Sequence, residues 1–356
     1  MDKPIKILFA TSNIASMPNL TIQALNKLPL MNAKGISYGT SQYWTFGPNW
    51  KIIEVTSFKV NPLKRIFQFI NFKYQIFKGI LWADILMWTW DIDRFEFFLI
   101  KLFKKKIFIE WLGSDIRVPE ILFQENKYYK QAWENGDWDY MSESQLRSDT
   151  IQEKFYKLKA TPLLCVEMSL FLNRNFFPNY ISFFQRIDIN NYLPQYPSPQ
   201  SNNPVLVHTP SATGTKGTRY VREIVEKFKA KGMQFEYIEI HNKSRQEALD
   251  AIGKADIFID QFIGGSYGLA TCEALAMGKP VFCYLMPYVA ERLPKECAII
   301  NSNLENLESN LERYMLDANL RHEAGIKSRA FAAQYHDADK IALQLQTLYK
   351  ETMKEI

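Results

Sequence analysis

The stretch that most limits how this chain can fold runs from Ala255 to Tyr284. An apolar run, Ala255 to Asp260, reads as a strand. Glycines follow at 264, 265 and 268, and Leu269 to Met277 then reads as a helix with no breaker inside it. Gly278 stops that helix, and Pro280 to Tyr284 reads as the next strand. Strand, glycine loop, helix and strand make one unit of a parallel sheet. A glycine loop that enters a helix leaves backbone N–H groups at a positive dipole end, which suits a phosphate. Glu273 lies within about a turn of that end, where its carboxylate accepts hydroxyl hydrogens. No Gly-Lys-Ser/Thr follows the glycines, and the spacing is not Gly-x-Gly-x-x-Gly. The same residues also read as an ordinary β–α turn packed closely on a sheet.

The rest of the chain repeats that alternation. Strands are predicted over 5–10, 50–55, 83–88, 107–111 and 161–167, with helices over 19–28, 61–79 and 94–105 and two more within 118–160. Residues 192–204 hold four prolines and no charge and read as an interdomain linker. Strands 205–208 and 235–240 and helices 218–231 and 245–254 precede the glycine stretch, and 304–354 reads as helical. At 356 residues, two domains are expected. Their bounds are 1–191 and 205–335, both Rossmann-like, with 336–356 a terminal helix.

Cysteines 165, 272, 283 and 297 form no Cys-x-x-Cys pair, which fits a reducing cytoplasm and gives no zinc pattern. The apolar run 5–10 is broken by Lys6 and is too short for a secretory core, and no run approaches a membrane span. The net charge is +5, yet residues 51–106 alone carry eleven Lys/Arg against five acids. Lysines interleave there with Phe, Ile, Leu and Trp, so the segment 59–106 is expected to attach peripherally to an anionic membrane surface. It contains no nucleic-acid-binding motif, and no nucleic-acid partner is expected.

Gly265 through Val281 resembles the donor-binding signature of the large retaining family of GT-B glycosyltransferases, the "glycosyl transferases group 1" or family-4-like enzymes. Asp260-Gln261 with Gly265-Ser266-Tyr267-Gly268 resembles one subgroup. Gly113-Ser114-Asp115-Ile116-Arg117 is similar to the family's Gly-Ser-Asp-x-Arg loop, and His208 to Thr218 to its His-x-Pro-Ser…Lys-Gly-Thr loop. The resemblance implies an α/β fold of the GT-B type, two Rossmann-like domains with parallel sheets facing across a cleft. The nucleotide sugar sits mainly on the second domain and a glycan or lipid-linked acceptor on the first.

It also implies roles. Lys216 and Gly217, with Gly265, Tyr267, Gly268 and Leu269, hold the donor diphosphate, and Glu273 holds the ribose. Lys216 and Asp115 are the catalytic candidates. Transfer retains anomeric configuration without a metal or cofactor, in polysaccharide or glycolipid synthesis. The chain departs from the family pattern at Leu112, at 212–215 where an arginine is usual, and at Gly265 in place of a glutamate. Two further readings therefore stand beside the transferase: a nucleotide-sugar-binding protein without transfer, and a sugar-nucleotide epimerase of the same fold. From its position alone, Asp115 is either an acceptor-orienting acid or a helix cap. Asp91-Ile92-Asp93 is either a metal-binding pair or a cap for the helix that follows. His208 reads as a core histidine.

Overall fold

The structure is a computed structural model that describes residues 3–38, 45–53 and 62–354. The chain divides into two compact units, Met1–Val118 with Glu143–Arg186 and Ala338–Ile356, and Pro119–Ser142 with Ile187–Asp337.

The first unit is built on a seven-stranded sheet. Its strands are β1 (Ile5–Thr11), β2 (Met31–Tyr38), β3 (Trp50–Ile53), β4 (Ile85–Thr89), β5 (Lys106–Glu110), β6 (Thr161–Leu164) and β7 (Ile181–Ser182). Their order is β3-β2-β1-β4-β5-β6-β7, and every pairing is parallel. Helices cover both faces of such a sheet, so a central strand buries all its side chains. Strand β4 does so at every one of its positions.

Strand β2 carries no apolar run and is absent from the sequence-based prediction. It pairs with β1 through small residues, Ala33, Gly35 and Ser37. A Cβ at position 35 would stand 2.0 Å from the ring of Trp50, whose indole N–H donates to Ser37 Oγ at 2.9 Å. The ring supplies the burial that the strand itself lacks.

The last helix, Ala338–Lys354, seats Ile341, Ala342, Leu345 and Tyr349 in the core of this unit. Tyr349 meets Phe108 edge-on at 5.4 Å. Beneath the sheet, Arg186 forks onto Glu110 at 2.5 and 2.7 Å, donates to Thr21 at 2.6 Å, and lies 4.5 Å from the ring of Phe183.

The second unit has five parallel strands, β8 (Val205–His208), β9 (Glu236–Glu239), β10 (Ile257–Ile259), β11 (Val281–Cys283) and β12 (Ile300–Asn301). Their order is β12-β11-β10-β8-β9. In each sheet the order of connection reverses once, between β1 and β4 and between β8 and β10. Ligands of open α/β sheets bind outside the carboxyl ends of strands at such a reversal.

Two segments lie differently from the division at 191 and 205. Residues 119–142 form helices Pro119–Glu125 and Lys127–Glu134 and cluster with the second unit. Residues 192–204, which read as a linker, also belong to it. Lys279 Nζ donates to the carbonyls of Gln195 and Gly253, His322 Nδ1 lies 2.9 Å from Pro197 O, and Arg329 donates to Tyr192 O at 2.7 Å. A proline-rich stretch offers carbonyls without N–H groups, and polar side chains of this unit lie against them.

Candidate functional site

The loops after β8 and β10 stand at the reversal point of the second sheet. After β8, a single helical turn, Thr213–Lys216, ends at Gly217, whose φ of +72° is left-handed and suits a glycine. Helix Thr218–Ala230 starts from there. Lys216 Nζ reaches Asp260 Oδ1 at 2.5 Å, with only 12% and 2% of the two side chains exposed. The other oxygen of Asp260 accepts from Thr271 Oγ1 at 2.6 Å. One buried carboxylate thus ties the lysine loop to the helix that follows the glycine loop.

That helix, Leu269–Ala276, begins at Gly268 with no side-chain cap. Its first N–H groups have no partner within the helix, and the macrodipole makes this end positive. Gly268, Leu269 and Ala270 are partly exposed there. Gly265 has φ +76°, and a Cβ on it would lie 2.7 Å from Asn126 Nδ2 and 3.0 Å from Met286 Cβ. Backbone conformation and space both demand glycine, which accounts for its standing where the resembling family carries glutamate.

Glu273 lies on the buried side of the same helix, 6% exposed. Its Oε1 accepts from Tyr192 Oη at 3.0 Å and from the Arg245 guanidinium. Burial raises its pKa, and Arg245 and then Tyr192 pull against that rise. Arg245 opens helix Arg245–Lys254, whose start is fixed by a capping box between Ser244 and Glu247. Tyr267 turns inward, 5% exposed, with Oη 3.5 Å from His336 Nε2. His208 is fully buried, with Nδ1 2.8 Å from Ile259 O and Nε2 3.0 Å from Thr218 Oγ1. Burial pushes its pKa down to about 4, and the ring is a neutral brace between β8, β10 and the helix at 218.

Residues 119–142 complete the site, and nothing in their composition marks them for it. Asp139 accepts from Thr215 N at 2.9 Å and Thr215 Oγ1 at 2.6 Å. A Cβ at Gly214 would fall 1.9 Å from Asp137 O, and Asp137 pairs with Arg219 at 2.8 Å. Asn126 caps helix Lys127–Glu134 and donates to Ile263 O at 2.8 Å. The excursion therefore holds both strand-end loops from the side. The sequence reading gives only two helices within 118–160 and no role for Asn126.

Asp115 belongs to the first unit. Its carboxylate is 1% exposed and accepts the N–H groups of Leu112 at 3.0 Å, Gly113 at 2.9 Å and Ile116 at 3.2 Å. Burial raises its pKa against those donors. This is the geometry of a loop cap rather than of an acid presented to an acceptor. Arg117 does not pair with it; its guanidinium meets Glu143 at 2.7 Å and Glu167 at 3.0 Å. Asp93 caps helix Arg94–Leu102 through Phe95 N and Glu96 N, and Asp91 takes both bonds from Lys154 at 2.8 Å.

The structure thus brings together Lys216, Gly217, Gly265, Gly268, Leu269 and Glu273, adds Asp260, Thr271, Arg245 and Tyr192, and points Tyr267 elsewhere. Such a site holds a cation and a positive helix end beside a carboxylate that accepts hydroxyls. That set suits a phosphorylated sugar or nucleoside.

No family model matches the chain, and no curated protein matches it. Solved structures match over nearly its whole length. Sucrose-phosphate synthase from Thermosynechococcus elongatus superposes with a TM-score of 0.62 at 9% identity, over 99% of this chain and all of that one. Anabaena HepE in complex with UDP gives 0.59 at 13%, over 99% and 100%. WaaG, a glycosyltransferase involved in lipopolysaccharide biosynthesis, gives 0.55 at 12%, over 95% and 98%. The fold is GT-B, with two Rossmann-like units.

Proposed function

We propose that the chain is a metal-independent glycosyltransferase. It moves a sugar from a nucleotide-sugar donor to a glycan or lipid-linked acceptor with retention of configuration, in cell-surface polysaccharide or glycolipid synthesis. It works peripherally at the inner face of the membrane. The observation that carries this is the half-buried Lys216, tied through Asp260 and Thr271 to a helix with an uncapped, partly exposed start at Gly268, at the reversal point of the second sheet. As the glycosidic bond breaks, negative charge grows on the leaving diphosphate. A preorganised cation and backbone N–H groups stabilise that charge more than the ground state. Glu273, oriented by Arg245 and Tyr192, keeps one oxygen for ribose hydroxyls. Asp115 enters by shaping the 112–117 loop. The match to HepE bound to UDP supports a uridine nucleotide as the first ligand to try.

The test is calorimetric binding of UDP and UDP-sugars beside steady-state transfer. Glu273→Gln removes a contact that is the same in ground and transition state, so KM should rise roughly ten- to hundredfold with kcat nearly unchanged. Nucleotide binding without turnover of any nucleotide sugar would favour the non-transferring reading instead, which the internal pairing of Lys216 with Asp260 supports.

A further inference from the structure

A helix that is apolar all round is ordinarily buried. Helix Pro62–Trp82 of the first unit is apolar on two sides and buried on one. Phe72, Ile76 and Ile80 are at most 5% exposed. Across the helix, Ile66, Phe67, Ile70 and Tyr74 are 55, 71, 55 and 55% exposed. The neighbouring helix Arg94–Leu102 repeats the pattern: Leu99 and Ile100 are buried, whereas Phe95, Phe98 and Leu102 are 42, 60 and 56% exposed. Rings of Phe77 and Phe103 meet at 6.4 Å, and Lys73 Nζ lies 5.7 Å from the Phe95 ring while pairing with Glu96 at 2.7 Å. Single exposed apolar residues need no explanation, but seven on two adjoining helices do.

Charge selects the occupant. Residues 62–106 hold nine Lys/Arg and four acids. Three of those acids, Asp91, Asp93 and Glu96, are already in ion pairs with lysines. Lys64, Lys78, Arg94, Lys101 and Lys104 are exposed around the apolar face. A second copy of the chain would bring like charges together, and lysine is depleted in protein interfaces. An anionic lipid surface complements both the aromatic and the basic residues.

We infer that helices Pro62–Trp82 and Arg94–Leu102 dock on an anionic bilayer. Phe67, Ile70 and Phe98 enter the headgroup boundary, and Lys64, Lys78 and Lys101 lie against lipid phosphates. A cavity of about 930 Å³ opens beside this face at the ends of β1 and β4, lined by Thr11, Phe69, Trp88, Asp91 and Lys154. Phe69 is 48% exposed, so the cavity wall continues onto the docking face. A lipid-linked acceptor passes from the bilayer into this cavity with its polar head toward Asp91 and Lys154; that second half rests on the glycosyltransferase reading.

The experiment is flotation of the full chain with vesicles of phosphatidylcholine alone and of phosphatidylcholine mixed with phosphatidylglycerol. The parent should partition into the anionic vesicles about tenfold or more over the neutral ones, and salt should weaken the binding. Phe67→Ser with Phe98→Ser should lower the partition at least about tenfold without moving the melting temperature. Lys64→Glu with Lys101→Glu should abolish the preference for anionic lipid. Absence of binding, equal binding to both vesicles, or variants bound like the parent would overturn the inference. So would a concentration-dependent dimer that Phe67→Ser with Phe98→Ser dissolves, because a second copy would then be the occupant. Anionic-vesicle binding without any sugar transfer supports the docking face and overturns the glycosyltransferase reading alone.

Discussion

In the first unit Arg186 meets Glu110 in the core; in the second Lys216 meets Asp260 at the strand ends. Both pairs are largely withdrawn from solvent, with side-chain exposures of 0% and 4% in the first and 12% and 2% in the second. The arginine is held by shape. Its fork fills both carboxylate oxygens, its Nε–H goes to Thr21, and its face rests on Phe183. The lysine is a point charge that gives one of three donors to Asp260, beside a positive helix end. The first arrangement is closed off from solvent and so gives a ligand no approach. The second, on the proposed function, can exchange or share its partner with an arriving diphosphate, and that would separate a scaffold pair from a site pair where burial alone does not.

The largest effect should come from breaking the fully buried pair. Glu110→Gln leaves the Arg186 charge buried and uncompensated, at a cost of about 3–5 kcal/mol. Thermal and denaturant unfolding should show that loss, while nucleotide affinity per folded molecule stays as in the parent. A large fall in affinity would mean the pair serves the site as well.

Next comes the lysine. Lys216→Ala should cut turnover by about 10²–10³-fold, the range for removing one preorganised transition-state donor. It also strands Asp260, so stability falls with it. Adding Asp260→Asn should restore the melting temperature and leave turnover low. Recovery of turnover in the double variant would make Lys216 a second scaffold pair.

The smallest effect is a pH slope. His208 has a folded pKa of about 4 against about 6.5 unfolded. Between these values the unfolded chain binds a proton that the native one refuses. Stability is therefore full above about pH 6.5, and about 2 kcal/mol of it is gone by pH 5. Chemical denaturation at pH 7 and pH 5 should show this loss in the parent and a flatter dependence in His208→Gln. Equal slopes in both would remove His208 from the list of native-state braces.

Much of the fold follows from local pattern. The alternation of apolar runs with helical periods names most strands, because buried parallel strands need continuous apolar residues. Strand β2 escapes because its burial comes from Trp50 folding over Gly35, a contact between distant parts of the chain. Asp93 is recognisable as a cap because capping is a local bond between a side chain and N–H groups two and three residues on.

The sequence by itself therefore determines the parallel α/β character and the glycine loop with its helix start, and it marks Lys216 and Glu273 as candidates. These depend on spacing within one strand–loop–helix unit. Only the tertiary structure decides their partners. Asp260 stands in the sequence as part of a subgroup pattern with no partner named, until the chain returns Lys216 to it from 44 residues away. Arg245 and Tyr192 come to Glu273 from separations of 28 and 81 residues. The helices at 119–142 reach both loops of a unit to which their place in the chain gives no hint. Side-chain pairing energies act over a few ångströms in space, and a linear pattern carries no record of which distant residues the packed core will bring within that range.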